Sequence, residues 1–375
     1  MHDACGTPLE VLDLKARRRE FAFPPPSALR PGLRSLLRNE RDEPLLWALL
    51  NLCLVPLACA SLFCFAPHSH LVGGFYLAAL YATSAQRCFL TLHYASHRPV
   101  FRHRALNAMF PELLSPFFGL LLGIYRLHHV VMHHVESNGG ADWTSTAGFS
   151  RDSPSHAALY VLKFTFGAVF GLPSYAWRHR RRRDALRAVA GMLFHGVLIF
   201  LARRVAPVAA LYACVLPTLI SLPILAFGAF CFSLVALHQM IPYLTGNWSQ
   251  HVFVNPTSSG GASSPFAHAY TCINHPDNQF TFNDGFHVEH HVNGGTHWSE
   301  LPSAFQRSLP SHAAADALVF SGVHFFDVGF AALCGTRGLR RLAKRYAQVG
   351  QPPRTQAELV DELRRRLQPV HLKRL

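Results

Sequence analysis

Charge is scarce in this chain. Only 15% of its residues are Asp, Glu, Lys or Arg, against about 25% in an average soluble protein, while half are hydrophobic. A soluble core of this length does not need so much apolar surface, so a purely soluble enzyme is excluded. Acidic residues are rarer still: 21 Asp and Glu against 35 Lys and Arg, for a net charge of +14. The basic residues do not spread over a soluble face with interleaved aromatics, as in a nucleic-acid binder. They cluster at Arg17 to Arg19, Arg30 to Arg41, Arg178 to Arg183 and from Arg337 onward, beside apolar runs, as cytoplasmic loops of membrane proteins do. No nucleic-acid partner is expected. Cysteine is odd in number, nine, with no CxxC pair. A disulfide framework and a thiolate metal site are therefore excluded, and most cysteines sit in apolar runs as small hydrophobes. The first residues lack the apolar stretch of a secretory signal.

What is present in quantity is long apolar sequence. Leu45 to Ala66 and Leu71 to Leu92 are each about long enough to cross the hydrocarbon layer, with Pro67 to His70 as a tight link. Ala188 to Ala202 and Ala206 to Leu237 form a second such pair, hinged at Arg203, Arg204 and Pro207. Met109 to Leu127 reads as a helix lying in the interface or entering partway, and Ala157 to Trp177 is long enough to span yet broken by Lys163, Gly171 and Pro173; the four-span arrangement needs it to return to the side it left. The expected fold is all-α integral membrane: four transmembrane helices in two hairpins, with a cytosolic histidine-rich cap. Residues 1–43 form a basic cytosolic segment, 44–310 the membrane domain and 311–375 a cytosolic helical tail. That tail carries a capping box at Thr355 to Glu358 and an amphipathic helix with Leu359, Leu363 and Leu367 on one face.

Histidine is the other abundance, at 24 residues. His93 and His97 lie at the end of the second apolar run, spaced to share a helix face. His129, His133 and His134 follow in HHVVMHH, where His129 and His133 are expected on one face and His134 rotated towards a second ion. His287, His290 and His291 form HVEHH. These eight imidazoles suit two transition-metal ions with open positions. A structural zinc site needs four ligands and favours cysteine. Imidazole alone does not choose among iron, copper, zinc and nickel. His251, in NWSQH, is a candidate ninth ligand, and Asn247 of the same motif a further metal-site residue through a bound water. Glu136, Asp142, Asp277, Asp284 and Glu289 are candidates to accept from the far nitrogen of a ligand imidazole. His238 and His297 read as supporting or structural, and His68, His70, His195, His268 and His275 as ordinary. Arg87, inside an apolar run, is a costly charge that calls for a partner or a function.

The three boxes, HYASHR, HHVVMHH and FNDGFHVEHH with HWSELP after it, resemble those of the membrane fatty acid desaturase family from about Leu45 to Phe305. Asn247 and His251 resemble the asparagine and extra histidine before the last box of acyl-CoA desaturases. The resemblance implies a non-haem centre of two irons on the cytosolic side, dioxygen as co-substrate, and a lipid acyl substrate. It also implies a separate electron donor, a b-type cytochrome or a ferredoxin with its reductase, since no HPGG haem-domain signature is present. The implied home is the endoplasmic reticulum of a eukaryote or the cytoplasmic membrane of a bacterium. The implied activity is fatty acid desaturation, on an acyl-lipid or acyl-CoA. Two departures leave hydroxylation or ketolation of a lipid or carotenoid as the alternative: the second box is HxxxHH where HxxHH is usual, and Tyr94 follows His93 where an acidic residue is frequent. A histidine-rich metal transporter is disfavoured because the boxes lie at span ends and in polar segments instead of at mid-bilayer. Phe75, Tyr76, Phe89, Phe117 and Phe118 are candidates to line a substrate tunnel.

Overall fold

The computed structural model describes residues 1–3, 6–14, 24–227, 246–257, 261, 264–350 and 352–370. The described chain is mostly helical. Its one departure from the expected all-α architecture is a two-stranded parallel sheet, Thr271–Ile273 with Val319–Ser321.

The first apolar pair folds as a hairpin. A helix over Glu40–Phe65 turns at residues 66–69 into His70–Thr83, where Ser69 caps the new helix by accepting from the Val72 N–H. A break at Ser84 (φ −127°) separates His70–Thr83 from Ala85–His97. That break lies in the second expected span, which therefore does not run as one continuous apolar helix.

Among the described residues, three helices are long and apolar enough to cross a membrane: Glu40–Phe65, Pro154–Arg178 and Arg182–Val205; Pro207–Ser221 is apolar but shorter. Glu40–Phe65 and Arg182–Val205 correspond to the first and third of the four expected spans. The last of those, Ala206 to Leu237, is described only to Phe227, and His238 lies outside the described residues. Pro154–Arg178 was expected to turn back at its glycine and proline, yet it rises without interruption. Its Gly167–Gly171 stretch is a π turn, and Pro173 follows at the start of the next α turn. The wider turn absorbs the backbone donor that proline lacks. This helix runs alongside the histidine-bearing segments: Tyr160 near its start donates to the carbonyl of Thr144, and Tyr175 near its end donates to Glu136.

Less than a third of the apolar windows of Glu40–Phe65 and Arg182–Val205 is buried within the chain, 28% and 22%. Phe65, Leu71, Phe75, Leu193 and Val205 point outward. An outer surface this apolar is stable only against lipid.

Two glycines mark where backbones meet. Gly119, at φ +73°, lies so close to Pro217 that an added Cβ would fall 2.0 Å from the Pro217 carbonyl oxygen. Gly285, in FNDGFHVEHH, faces the carbonyl oxygen of Cys272 and the Asn278 amide, at 2.4 and 2.3 Å from where a Cβ would stand. The third box is thereby pressed against the small sheet.

The C-terminal stretch is built into this assembly. The boundary expected at 310/311 falls inside the helix Leu301–Ala315, and Leu359, Val360, Leu363 and Leu367 join a core containing Trp248, Phe253 and Phe320. Arg151, fully buried, holds the parts together by donating to the carbonyls of Thr146, Ala147, Phe149, Val252, Arg366 and Gln368. Arg366 in turn pairs with Asp316 and Glu362. Replacing Arg151 by Met leaves several buried carbonyls without a donor, at about 1–3 kcal/mol each. Arg151→Met is expected to lower the stability of the detergent-solubilised protein by about 3 kcal/mol or more. The exposed Arg364→Met, which loses a surface pair with Asp361, is expected to cost less than about 1 kcal/mol. Equal denaturation midpoints for the two variants would refute the clamp.

Candidate metal centre

Nine imidazoles from four stretches of chain converge in one buried region. In a first group, the ligand nitrogens of His93, His97, His129 and His290 all lie within 4.8 Å of one another. His134 joins them, its Nε2 3.2 Å from that of His129 and 3.0 Å from that of His290. In a second group, His133, His251 and His291 meet the same criterion. His287 joins there, its Nε2 3.2 Å from His251 and 3.1 Å from His291.

The division between groups differs from the expected one. His129 pairs with His134, while His133 crosses to the other group. The cause is local: Leu127–His133 is a π turn. Bonding from i to i+5 widens the turn by one residue, so residues five apart come to lie over each other. In the third box, an ordinary α-helix over His287–Val292, the pair is His287 and His291, four apart, and His290 crosses over. The extra residue of HxxxHH is thus taken up by the π turn. Both boxes deliver first and last histidine to one group and the middle histidine to the other.

The tautomers at the second group are fixed from behind. His133 donates through Nδ1 to Asp142 at 2.8 Å, and His251 donates through Nδ1 to the carbonyl of His268 at 2.8 Å. As neutral rings, both then present bare Nε2 lone pairs to each other at 3.1 Å. Such an approach needs a shared positive charge. A proton can bridge two nitrogens, but His251 Nε2 also faces His287, and His290 Nε2 faces His93 (2.7 Å), His134 and His129 (3.4 Å). Metal–nitrogen bonds of about 2.1 Å at angles near 90–110° would set ligand nitrogens roughly 3.0–3.4 Å apart. Most of these separations fall in that interval, so the donor set fits two metal ions.

Burial favours the neutral, ligating form of several of these rings. It pushes the His97 imidazole down to about 4, with the nearby Arg126 and His133 adding to the effect. His129, His251, His290 and His291 are driven well below their ordinary value by the same burial, then by one another. Asp142 is pushed up by burial, but the His133 ring and hydrogen bonds from His133 and Thr144 outweigh this and hold it ionised, below the usual carboxylate range.

The other expected residues fall elsewhere. Asn247 does not face the ligands; its amide donates to the carbonyl of Thr144 (2.9 Å) and to the Tyr160 hydroxyl (2.6 Å). The reason is that its helix spans only Asn247–Gln250, and His251 has left helical geometry at φ −129°, ψ 31°. The i, i+4 spacing therefore does not put the two side chains on one face. Asn247 braces Thr144, which donates to Asp142, which holds His133.

Of the five candidate carboxylates, only Asp142 accepts from a ligand histidine. Glu289 accepts from His312, Ser308 and Thr271; Glu136 accepts from Tyr175; Asp277 pairs with His275; Asp284 accepts from Gln250. His297 pairs with Asp42 and pins the N-terminal segment to the third box. His268, read as ordinary, lies fully buried behind His251, and its carbonyl orients that ligand. Nothing in its spacing signals this, because the contact is made by backbone. Among the tunnel candidates Phe75 is 70% exposed on the outer surface, while Tyr76, Phe89 and Phe118 are buried.

Helices that present apolar faces outward, joined to a buried two-group cluster of imidazoles that could hold metal, are features of the membrane histidine-box class. A family model described as fatty acid desaturase matches residues 66–322. The chain belongs to the fatty acid desaturase family. No curated protein matches it.

Outer partners such as Asp142 typically change metal affinity or activity by about 10–100-fold. Asp142→Asn is accordingly expected to weaken metal retention by about that factor, read by metal content after dialysis against graded chelator. Unchanged retention would remove Asp142 from the site. Protonation supplies a second test. Imidazoles lowered in the folded state and near 6.5 when unfolded make the unfolded chain bind more protons below that pH. Stability of the chelator-treated protein is thus complete above about pH 6.5 and lost progressively as pH falls from there towards 4. A flat denaturation midpoint between pH 7 and 5 would contradict the buried neutral rings.

Proposed function

We propose that this chain is a membrane-bound, dioxygen-dependent fatty acid desaturase that introduces a double bond into the acyl chain of a lipid or acyl-CoA. The observation that carries the reading is the convergence of more ligand nitrogens than protons can bridge, in a chain of the desaturase family. Two irons are the proposed occupants. One would be held by His93, His97, His129, His134 and His290, the other by His133, His251, His287 and His291. Iron so placed supplies reductive activation of dioxygen, chemistry that no side chain offers.

The chain's own residues do the rest. Asp142 and the His268 carbonyl hold two rings in the ligating tautomer. The apolar residues around the centre exclude water from it, and Tyr94, ring to ring with His93 and His290, walls one side. Two neighbouring hydrogens leave the acyl chain with their electrons; together with two electrons from a separate donor and two protons from solvent they would reduce dioxygen to two waters and leave the alkene. The donor is a b-type cytochrome or a ferredoxin with its reductase, meeting the centre on the cytosolic face. The membrane is the endoplasmic reticulum or, in a bacterium, the cytoplasmic membrane.

The HxxxHH spacing, which pointed towards hydroxylases, loses weight because the π turn gives that box the same division of ligands as the third. A transporter is disfavoured by the same geometry, since the ligands form one compact cluster instead of a path along a span.

Protein purified from iron-replete cells is expected to hold two irons per chain by elemental analysis. A host expressing it is expected to gain an unsaturated acyl product that His290→Ala abolishes. One metal per chain, or zinc in its place, would defeat the di-iron assignment. A hydroxylated product would move the chain to the alternative activity.

A further inference from the structure

A ligand imidazole is normally aimed by a hydrogen bond from its far nitrogen. His133 and His251 have such partners, in Asp142 and the His268 carbonyl. His97 is held differently. It is the last residue of the helix Ala85–His97, and the chain leaves helical geometry at Arg98 (φ −134°, ψ 135°), so no further turn packs over the ring. Its Nε2 is buried and has no hydrogen-bond partner among the described residues. Yet its ring stands edge to face with those of His129, His134 and His290, at centroid separations of 4.9, 4.5 and 4.7 Å.

Main chain stands against the other edge of this ring. A Cβ on Gly294 would fall 2.7 Å from His97 Nδ1 and 2.8 Å from Cε1, well inside van der Waals contact. Only glycine lets the backbone come this near. Its φ lies outside the left-handed region, so alanine there would be strained by the ring and not by the turn. That turn is fixed at both ends. The third-box helix stops at Val292, and Asn293 (φ −151°, ψ 89°) accepts from the Gly295 N–H through its side chain at 3.0 Å and from the Thr296 N–H through its carbonyl at 2.9 Å. At the far end His297 donates through Nε2 to the buried Asp42 at 2.9 Å, and the Trp298 indole donates to the same oxygen at 3.3 Å. A turn tied down in this way does not withdraw from an added methyl group; the ring moves. We propose that Gly294 is a positioning residue of the metal centre, and that the main chain of the 293–296 turn seats the His97 ring as Asp142 seats His133. The proposal rests on the two-metal reading and ties this turn to the ion of the first group.

The test counts ions and needs no turnover. Full-length protein, stripped with chelator in detergent, is titrated with cobalt(II), the neighbour of iron in the affinity order of divalent metals. Bound ions are followed by their visible absorption. The native protein is expected to take up two. Gly294→Ala is expected to bind one of them about 10–100-fold more weakly, the range for loss of an outer partner, and the other as before. In a His97→Ala background the same glycine change is expected to add nothing, because the ring it would strike is gone. Two ions at native affinity in Gly294→Ala would overturn the proposal. So would an equal loss at both ions, which would make the turn a general support of the fold, or a further loss in the His97→Ala background. Should Gly294→Ala alone fail to fold, the double variant His97→Ala/Gly294→Ala is expected to fold, and its failure would count against the proposal in the same way. A chain that behaves as expected here yet makes no double bond would fail the desaturase reading and leave Gly294 in its role.

Discussion

Everything else in the structure serves the confrontation of imidazole lone pairs at the centre of the chain. His133 and His251 have their Nδ1 hydrogens committed to Asp142 and to the His268 carbonyl, so their Nε2 atoms face each other at 3.1 Å with nothing of their own to share. Left without a cation, such a cluster is repulsive and buried, which is among the costlier arrangements a fold can contain. It persists because the surroundings over-determine it. Thr144 holds Asp142, Asn247 and Tyr160 hold Thr144, and Thr146 donates to the carbonyl of His251 itself. Arg151 then ties the 146–149 turn to residue 252 and to the C-terminal stretch. The polar scaffold behind the ligands is therefore as much a part of the site as the boxes. It also explains why Leu359, Val360, Leu363 and Leu367 pack as part of the core.

That the eight box histidines come together was legible because a shared centre demands residue type and spacing together, and both survive in linear sequence. His251 was legible for the same reason, four residues past an asparagine and just after an apolar run. What spacing could not give was geometry that departs from the α-helix. His129 and His133 read as one face under a 3.6-residue period, but the π turn pairs His129 with His134 instead. Asn247 and His251 read as one face, but their helix ends before His251. Contacts made by backbone left no trace at all: the His268 carbonyl has no side-chain signature. Asp142 was one carboxylate among five, and only the fold distinguishes it from Glu289, which turns away to His312.

The membrane arrangement shows the same limit. Hydropathy located the apolar stretches, and the first hairpin folds about the expected link, Pro67 to His70, with its turn at residues 66–69. It did not foresee that Ser84 interrupts the second stretch, or that Pro154–Arg178 absorbs its own glycine and proline in a π turn and continues. Both outcomes depend on what packs alongside. Gly171 lies against the Trp143 ring with no room for a Cβ, and Gly167 faces the same ring. This helix is straightened by the segment that follows the second box, a contact distant in sequence and invisible to a sliding window.

Charge completes the logic of the centre. Imidazole carries no negative charge of its own, and Asp142 is the one carboxylate among the described residues that accepts from a ring of the cluster, so two divalent ions would leave the region strongly positive. The nearby Arg126 raises that potential further. Both features weaken cation binding, which is offset by the number of ligand nitrogens and by the carboxylate behind His133. Asp142 is therefore the group whose loss the centre would feel most, because it is what meets that positive charge through a ligand ring.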